Sequence, residues 1–98
     1  MSTTEIDDTI KRLSSHKGVV GVLVISNEGI PIRSTLDNAL AVQYAALITQ
    51  LSQKSQMVVQ DIDAQDELEY LRVRTKKYEW MIAPNPDYCL IVIQTFSE

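Results

Sequence analysis

The side chains able to do chemistry in this 98-residue sequence are few, and their surroundings decide what each is worth. His16 is the only histidine and Cys89 the only cysteine, so neither has a partner of its kind to complete a metal site. His16 beside Lys17 fits compensation of a helix dipole at a C-terminal end. Cys89 sits inside an apolar run and fits a small buried thiol. The acids Asp61, Asp63, Asp66 and Glu67 have the oxygen chemistry of a calcium loop. They lack the glycine of the sharp turn and a terminal glutamate at the right distance, and are expected to form a solvated charged loop. Gly18, Gly21 and Gly29 are too scattered to cradle a phosphate. Arg33, Arg72 and Arg74 have the fork chemistry of an arginine finger acting on a bound GTPase. Cross-strand pairing, as of Arg74 with Glu79, and partner contact are the simpler roles. Trp80 and Tyr70 suit either a binding hot spot or a core. The sequence therefore predicts no catalytic residue, no metal, no cofactor and no enzyme.

Bulk properties narrow the partners. A formal charge of −4 and a pI near 4.9 oppose a nucleic-acid partner, because phosphate binding draws on clustered lysine and arginine. They also disfavour anionic membranes, and no apolar run approaches the ~20 residues of a spanning helix. The acidic start through Asp8 is unlike a leader peptide, and a lone cysteine forbids an internal disulfide. The expected location is the cytoplasm. A length of 98 residues fits one domain, 1–98, small enough to gain from self-association.

The elements that must position these residues follow from hydrophobic spacing. Ile6, Ile10 and Leu13 line one face of a helix predicted over residues 3–17, with Ser2 and Glu5, or Thr4 and Asp7, as a capping box. Val19 to Ile25 is predicted as a strand covered on both faces. The turn residues Asn27, Glu28 and Gly29 send Ile30 to Thr35 back as its hairpin partner, and Pro31 places that second strand at a sheet edge. A long helix follows Asp37 or Asn38 and runs to about Asp61. Leu40, Tyr44, Leu47, Leu51 and Val58 form one of its stripes, and Ala41, Ala45, Ile48, Ser52, Ser55 and Val59 a neighbouring one. That arc is wider than one sheet contact needs, which implies a second packing partner.

The remainder predicts a meander of three strands: Leu68 to Thr75, Tyr78 to Ala83 and Asp87 to Gln94. With Lys76 and Lys77 as the loop, Arg74 falls opposite Glu79, Val73 opposite Trp80, Arg72 opposite Met81, Leu71 opposite Ile82 and Tyr70 opposite Ala83. Leu71, Val73, Tyr78, Trp80 and Ile82 then share an apolar face, and Tyr70, Arg72, Arg74, Glu79, Met81 and Ala83 a mixed one. Two lysines suit a tight turn poorly, so a longer loop is expected there. The predicted fold is α/β (α+β): one five-stranded, largely antiparallel sheet of order 2-1-5-4-3 between helices. Its third strand is an edge with no proline or bulge to blunt it. We therefore expect a homodimer in which third strands pair and long helices pack.

The order and spacing of Lys17-Gly18-Val19, Glu28-Gly29-Ile30-Pro31-Ile32, Asp37-Asn38, Gln43-Tyr44-Ala45, Asp61-Ile62-Asp63, Leu71-Arg72-Val73-Arg74, Lys76-Lys77, Ala83-Pro84 and Leu90-Ile91-Val92-Ile93-Gln94 resemble the roadblock dynein light chains through nearly the whole chain. The resemblance implies a roadblock/longin-like sheet made continuous across a homodimer, and binding to the dynein intermediate chain. It implies a cytoplasmic, microtubule-associated setting, in which a non-catalytic accessory light chain helps link motor to cargo. Leu71, Arg72, Val73 and Arg74 stand where the dimer strand is expected, and Tyr44, Ile48, Leu51 and Ser55 where the paired helix is. Trp80, Cys89 and Gln65-Asp66-Glu67 depart from the family pattern. A first helix too short to cover its sheet face would leave Tyr70, Arg72, Arg74 and Met81 as a groove floor. Ile6 and Ile10 of the flanking helix join these as expected partner contacts. The alternative reading is a roadblock-type scaffold or regulator of a small GTPase, or a contact for a cargo adaptor. A small-ligand sensor is a third, which no polar cluster in the sequence supports.

Overall fold

The computed structural model describes residues 2–96. Its elements are α1 (Thr3–Ser14), β1 (Val19–Ile25), β2 (Pro31–Ser34), α2 (Asn38–Ile62), β3 (Leu71–Arg74), β4 (Glu79–Pro84) and β5 (Cys89–Gln94). The strands form one antiparallel sheet of order β2-β1-β5-β4-β3, the order the sequence predicts. Continuous apolar β1 and β5 lie at its centre, because only there are both faces covered.

On one face α2 lays Ala41, Ala45, Ile48 and Ser52 against Leu23, Ile25, Ile82, Ile91 and Ile93. On the other, α1 packs on β1 and β2 and buries Ile6, on the side where Val22 and Val24 are fully enclosed. The caps act as the sequence indicates. The Ser2 hydroxyl accepts from the Glu5 amide at 3.2 Å, and the Asp37 carboxylate from the Leu40 amide at 3.0 Å.

The largest departures from the expected boundaries are at the end of α1 and the start of β3. Helix α1 stops at Ser14 rather than residue 17, because the Ser15 hydroxyl donates to the Arg12 carbonyl and Gly18 turns the chain at φ +89°. His16 therefore lies in the connecting turn, beyond the last helical turn that Lys11 and Arg12 occupy. Strand β3 is four residues, not eight. The stretch leading into it is tied to α2 instead: the Leu68 amide donates to Gln56 Oε1 at 2.6 Å and Gln60 Nε2 to the Asp66 carbonyl at 3.4 Å. Tyr70 is consequently outside the ladder, although Leu71, Arg72, Val73 and Arg74 pair with Ile82, Met81, Trp80 and Glu79 as predicted.

The loop at Lys76 and Lys77 is short after all. The turn needs no positive φ, and Thr75 braces it: its amide donates to the Tyr78 carbonyl at 2.7 Å, and its hydroxyl accepts from the Tyr78 and Lys77 amides at 2.9 and 3.2 Å. Asn85 does the same for the next hairpin, accepting from the Asp87 and Tyr88 amides at 3.0 Å each.

Ile48 is almost wholly enclosed, so Ile48→Ala is expected to lower the unfolding free energy by about 2–5 kcal/mol in urea titrations. A loss below ~0.5 kcal/mol would place that side chain outside the core.

Candidate functional site

Two surfaces collect the residues that sequence reasoning singled out. The first is the β3 edge with the outer face of α2. Strand β3 has one neighbour, β4, and its ladder is regular, so nothing in its own sheet covers the far side. Small residues of α2 face the sheet, which turns the large ones outward: Leu40, Leu47, Leu51 and Val58 are all exposed, Leu47 at 56%. Tyr44 and Trp80 stack edge to face at 5.7 Å and 80°. With Leu40, Gln43, Leu47 and Leu51 they line a mostly apolar groove of about 300 Å³.

Of the residues expected at a paired helix, Tyr44 is half-buried and Leu51 exposed, while Ser55 is half-buried with its hydroxyl on the Leu51 carbonyl at 2.9 Å. Ile48 is a correction, because it is 2% exposed and packs into the chain's own core. Leu71 and Val73 also turn toward that core, half-buried, whereas Arg72 and Arg74 project from the opposite face. Trp80 is half-buried against the core, and its indole N–H has no hydrogen-bond partner.

The second surface is the face opposite α2 over β3, β4 and β5. Helix α1 lies on β1 and β2, where Ile6 is buried and Asp7 Oδ1 meets Arg33 Nε at 3.3 Å, so it leaves this side of the sheet open. Ile6 is again a correction: it is buried beneath α1, with no area left for a partner, while Ile10 is half-buried. Tyr70 is 59% exposed and Met81 half-buried.

Between them stands the one buried charge on these strands. Glu79 accepts from Arg72 at 3.2 Å, Arg74 at 3.4 Å and Gln94 Nε2 at 3.3 Å, and the Arg74 guanidinium also lies 4.2 Å from the centre of the Phe96 ring. Burial alone would raise the Glu79 pKa. The Gln94 hydrogen bond and the two guanidinium charges outweigh it and hold the carboxyl below its ordinary 4.5. Pairing of Arg74 with Glu79 was legible from register; Arg72 and Gln94 were missed. Carrying the β4 register on to β5, where Gln94 falls opposite Glu79, was the signal for Gln94.

Reactive chemistry is not assembled elsewhere in what the structure describes. Burial pushes the Cys89 thiol up to about 11, leaving it protonated at neutral pH. Asp63 and Asp66 cap local turns by accepting from the Gln65 and Glu67 amides. No group of three His, Cys, Asp or Glu among the described residues is placed to hold a metal ion. No helix among them is long and apolar enough to cross a membrane. The sequence showed no polar cluster for a small ligand, yet Thr49, Ser52, Gln53, Gln56, Asn27 and Glu67 line part of an open cleft of about 630 Å³ beside the β1–β2 and β4–β5 turns.

A small sheet with a helix on each face, its surface features gathered at one strand edge and one open face, is the architecture of a roadblock-like α/β domain. The chain belongs to the Roadblock/LC7 domain family, whose model matches residues 5–95. Among solved structures, the Roadblock/LC7 domain from Streptomyces avermitilis superposes with a TM-score of 0.83 at 16% identity, over 91% of this chain and 77% of that one. Myxococcus xanthus MglB gives 0.81 at 16% identity, over 97% and 79%. A structure described as MglB with tetrameric arrangement gives 0.80 at 8% identity, over 94% and 71%. At such identities the likeness is one of fold.

Because the folded Glu79 pKa is depressed, its contribution to stability is complete above about 4.5 and is lost as pH falls through the folded value. Urea midpoints of wild type and Glu79→Gln should therefore differ at neutral pH and converge on acidification through that window. A gap that is constant with pH would show that the carboxylate contributes nothing through its charge.

Proposed function

We propose that this chain works as a homodimer and that the dimer is a non-catalytic adaptor gripping a segment of a larger protein. The observation that carries the reading is the bare β3 edge together with the outward apolar stripe of α2, part of which meets Trp80 on the neighbouring β4. Unpaired N–H and C=O groups of an edge favour a second strand, and two-fold symmetry supplies an identical one. The same rotation would bring two α2 helices together over Leu47 and Leu51, removing apolar surface worth about 25 cal/mol per Å². The tetrameric arrangement named for one MglB structure supports self-association of this fold.

Two partner classes remain. In one, the chain is an accessory light chain of a dynein motor in the cytoplasm and binds its intermediate chain; the order and spacing of the motifs from Lys17-Gly18-Val19 to Leu90-Ile91-Val92-Ile93-Gln94 support this. Two attachment sites per dimer would hold two copies of a motor subunit by raising local concentration, with no chemistry required. In the other, the chain is a scaffold or regulator of a small GTPase. The MglB structures among its relatives lend this second reading more direct support than the motor reading receives from them.

Sedimentation of the wild type at micromolar concentration should give a dimer, and Leu47→Glu with Leu51→Glu should weaken it at least tenfold, about 1.4 kcal/mol. A wild-type monomer would refute the proposal.

Pull-down from cytosol should recover dynein intermediate chain under the motor reading and a GTPase complex under the other. GTP hydrolysis by the recovered GTPase, measured with and without this protein, separates scaffold from regulator. Tyr70→Glu with Met81→Glu should abolish capture while the dimer persists, and undiminished capture would exclude the open face as the binding surface.

A further inference from the structure

We infer that the open face, once doubled by the two-fold, selects a partner segment that is acidic as well as apolar; this rests on the homodimer proposed above. Strands β3, β4 and β5 carry two cations, Arg72 and Arg74, and one acid, Glu79. In a chain of net charge −4, this face therefore runs against the sign of the whole. Depth sharpens the imbalance. The Glu79 side chain is 9% accessible, whereas those of Arg72 and Arg74 are 56% and 60% accessible, so an arriving segment meets guanidinium and not carboxylate.

Self-association intensifies it. Residues directly opposite in an antiparallel pair point to the same face, so joining β3 to its copy sets four guanidiniums along one seam with only two carboxylates beneath. Like charges facing each other across strands oppose pairing. Each Arg74 is also fixed over Phe96, which limits its freedom to swing away. Carboxylates from an occupant lying along the seam would form bidentate pairs with these forks and remove the repulsion. Met81 and Val92, paired and half-buried on the same face, require apolar side chains between those carboxylates. Occupancy and self-association are thereby coupled: a segment that bridges the seam tightens the dimer, and the dimer creates the site.

The probes are two synthetic amphipathic peptides with identical leucine positions, one carrying glutamate and the other lysine elsewhere. The glutamate peptide should bind the full-length protein and lower the dimer dissociation constant at least tenfold, while the lysine peptide does neither. Without peptide, the wild-type dimer should strengthen as salt rises. Arg72→Gln with Arg74→Gln should lose that salt dependence and bind the glutamate peptide at least tenfold more weakly. Equal binding of the two peptides by a wild-type dimer overturns the charge selection alone. So does a folded double variant that keeps the salt dependence of the wild-type dimer. A wild type that stays monomeric overturns both this inference and the reading beneath it.

Discussion

The close approach of α2 to its own sheet is the contact on which the other features depend. Ala41, Ala45 and Ser52 add little bulk between helix and strands, and Ile48 fills the remaining space, so the helix lies near the sheet. The other large apolar residues of the helix are displaced to its flanks or its far side. Leu40, Leu47, Leu51 and Val58 are exposed because small residues took the inward stripe, not because the helix is short of core to join. A surface of this kind is costly to leave in water, and part of it meets Trp80 on β4, the strand next to the bare β3 edge.

The opposite face owes its character to where α1 is fastened. Ile6 is buried beneath that helix, Asp7 meets Arg33 of β2, the edge remote from β3, and the helix's twelve residues cover β1 and β2. What stays open is flat and mixed, apolar from Met81 and Val92 and polar from the arginines gathered on Glu79. A carboxylate holding three donors from two neighbouring strands keeps β3, β4 and β5 in register on the side that no helix braces. Order at the strand edge and charge on the face are thus set by the same few side chains.

Much of this was legible in the sequence because alternation and β-branched runs have one physical meaning wherever they occur. The limits of β1, the edge position of β2, the β3 to β4 register and the strand order all follow from period-two patterning and turn residues. What escaped was decided by side-chain to main-chain bonds that carry no periodic signal. Gln56 captures the Leu68 amide and shortens β3, the Thr75 hydroxyl braces the Lys76-Lys77 turn without a positive φ, and Ser15 ends α1 early. Ile48 and Ile6 were placed at interfaces because a stripe on a helical wheel has no label for inside or outside. The choice between the two stripes of α2 rested on how near the helix sits to the sheet, which spacing alone does not tell.

The account stands on β3 finding a second strand. Amide hydrogen exchange resolved at residues 71–74 addresses this directly, since an antiparallel strand directs some of its N–H groups away from β4. The predicted result is slow exchange at those outward amides in concentrated protein, accelerating on dilution while amides of central β1 and β5 stay protected. Rapid exchange there at every concentration would contradict it.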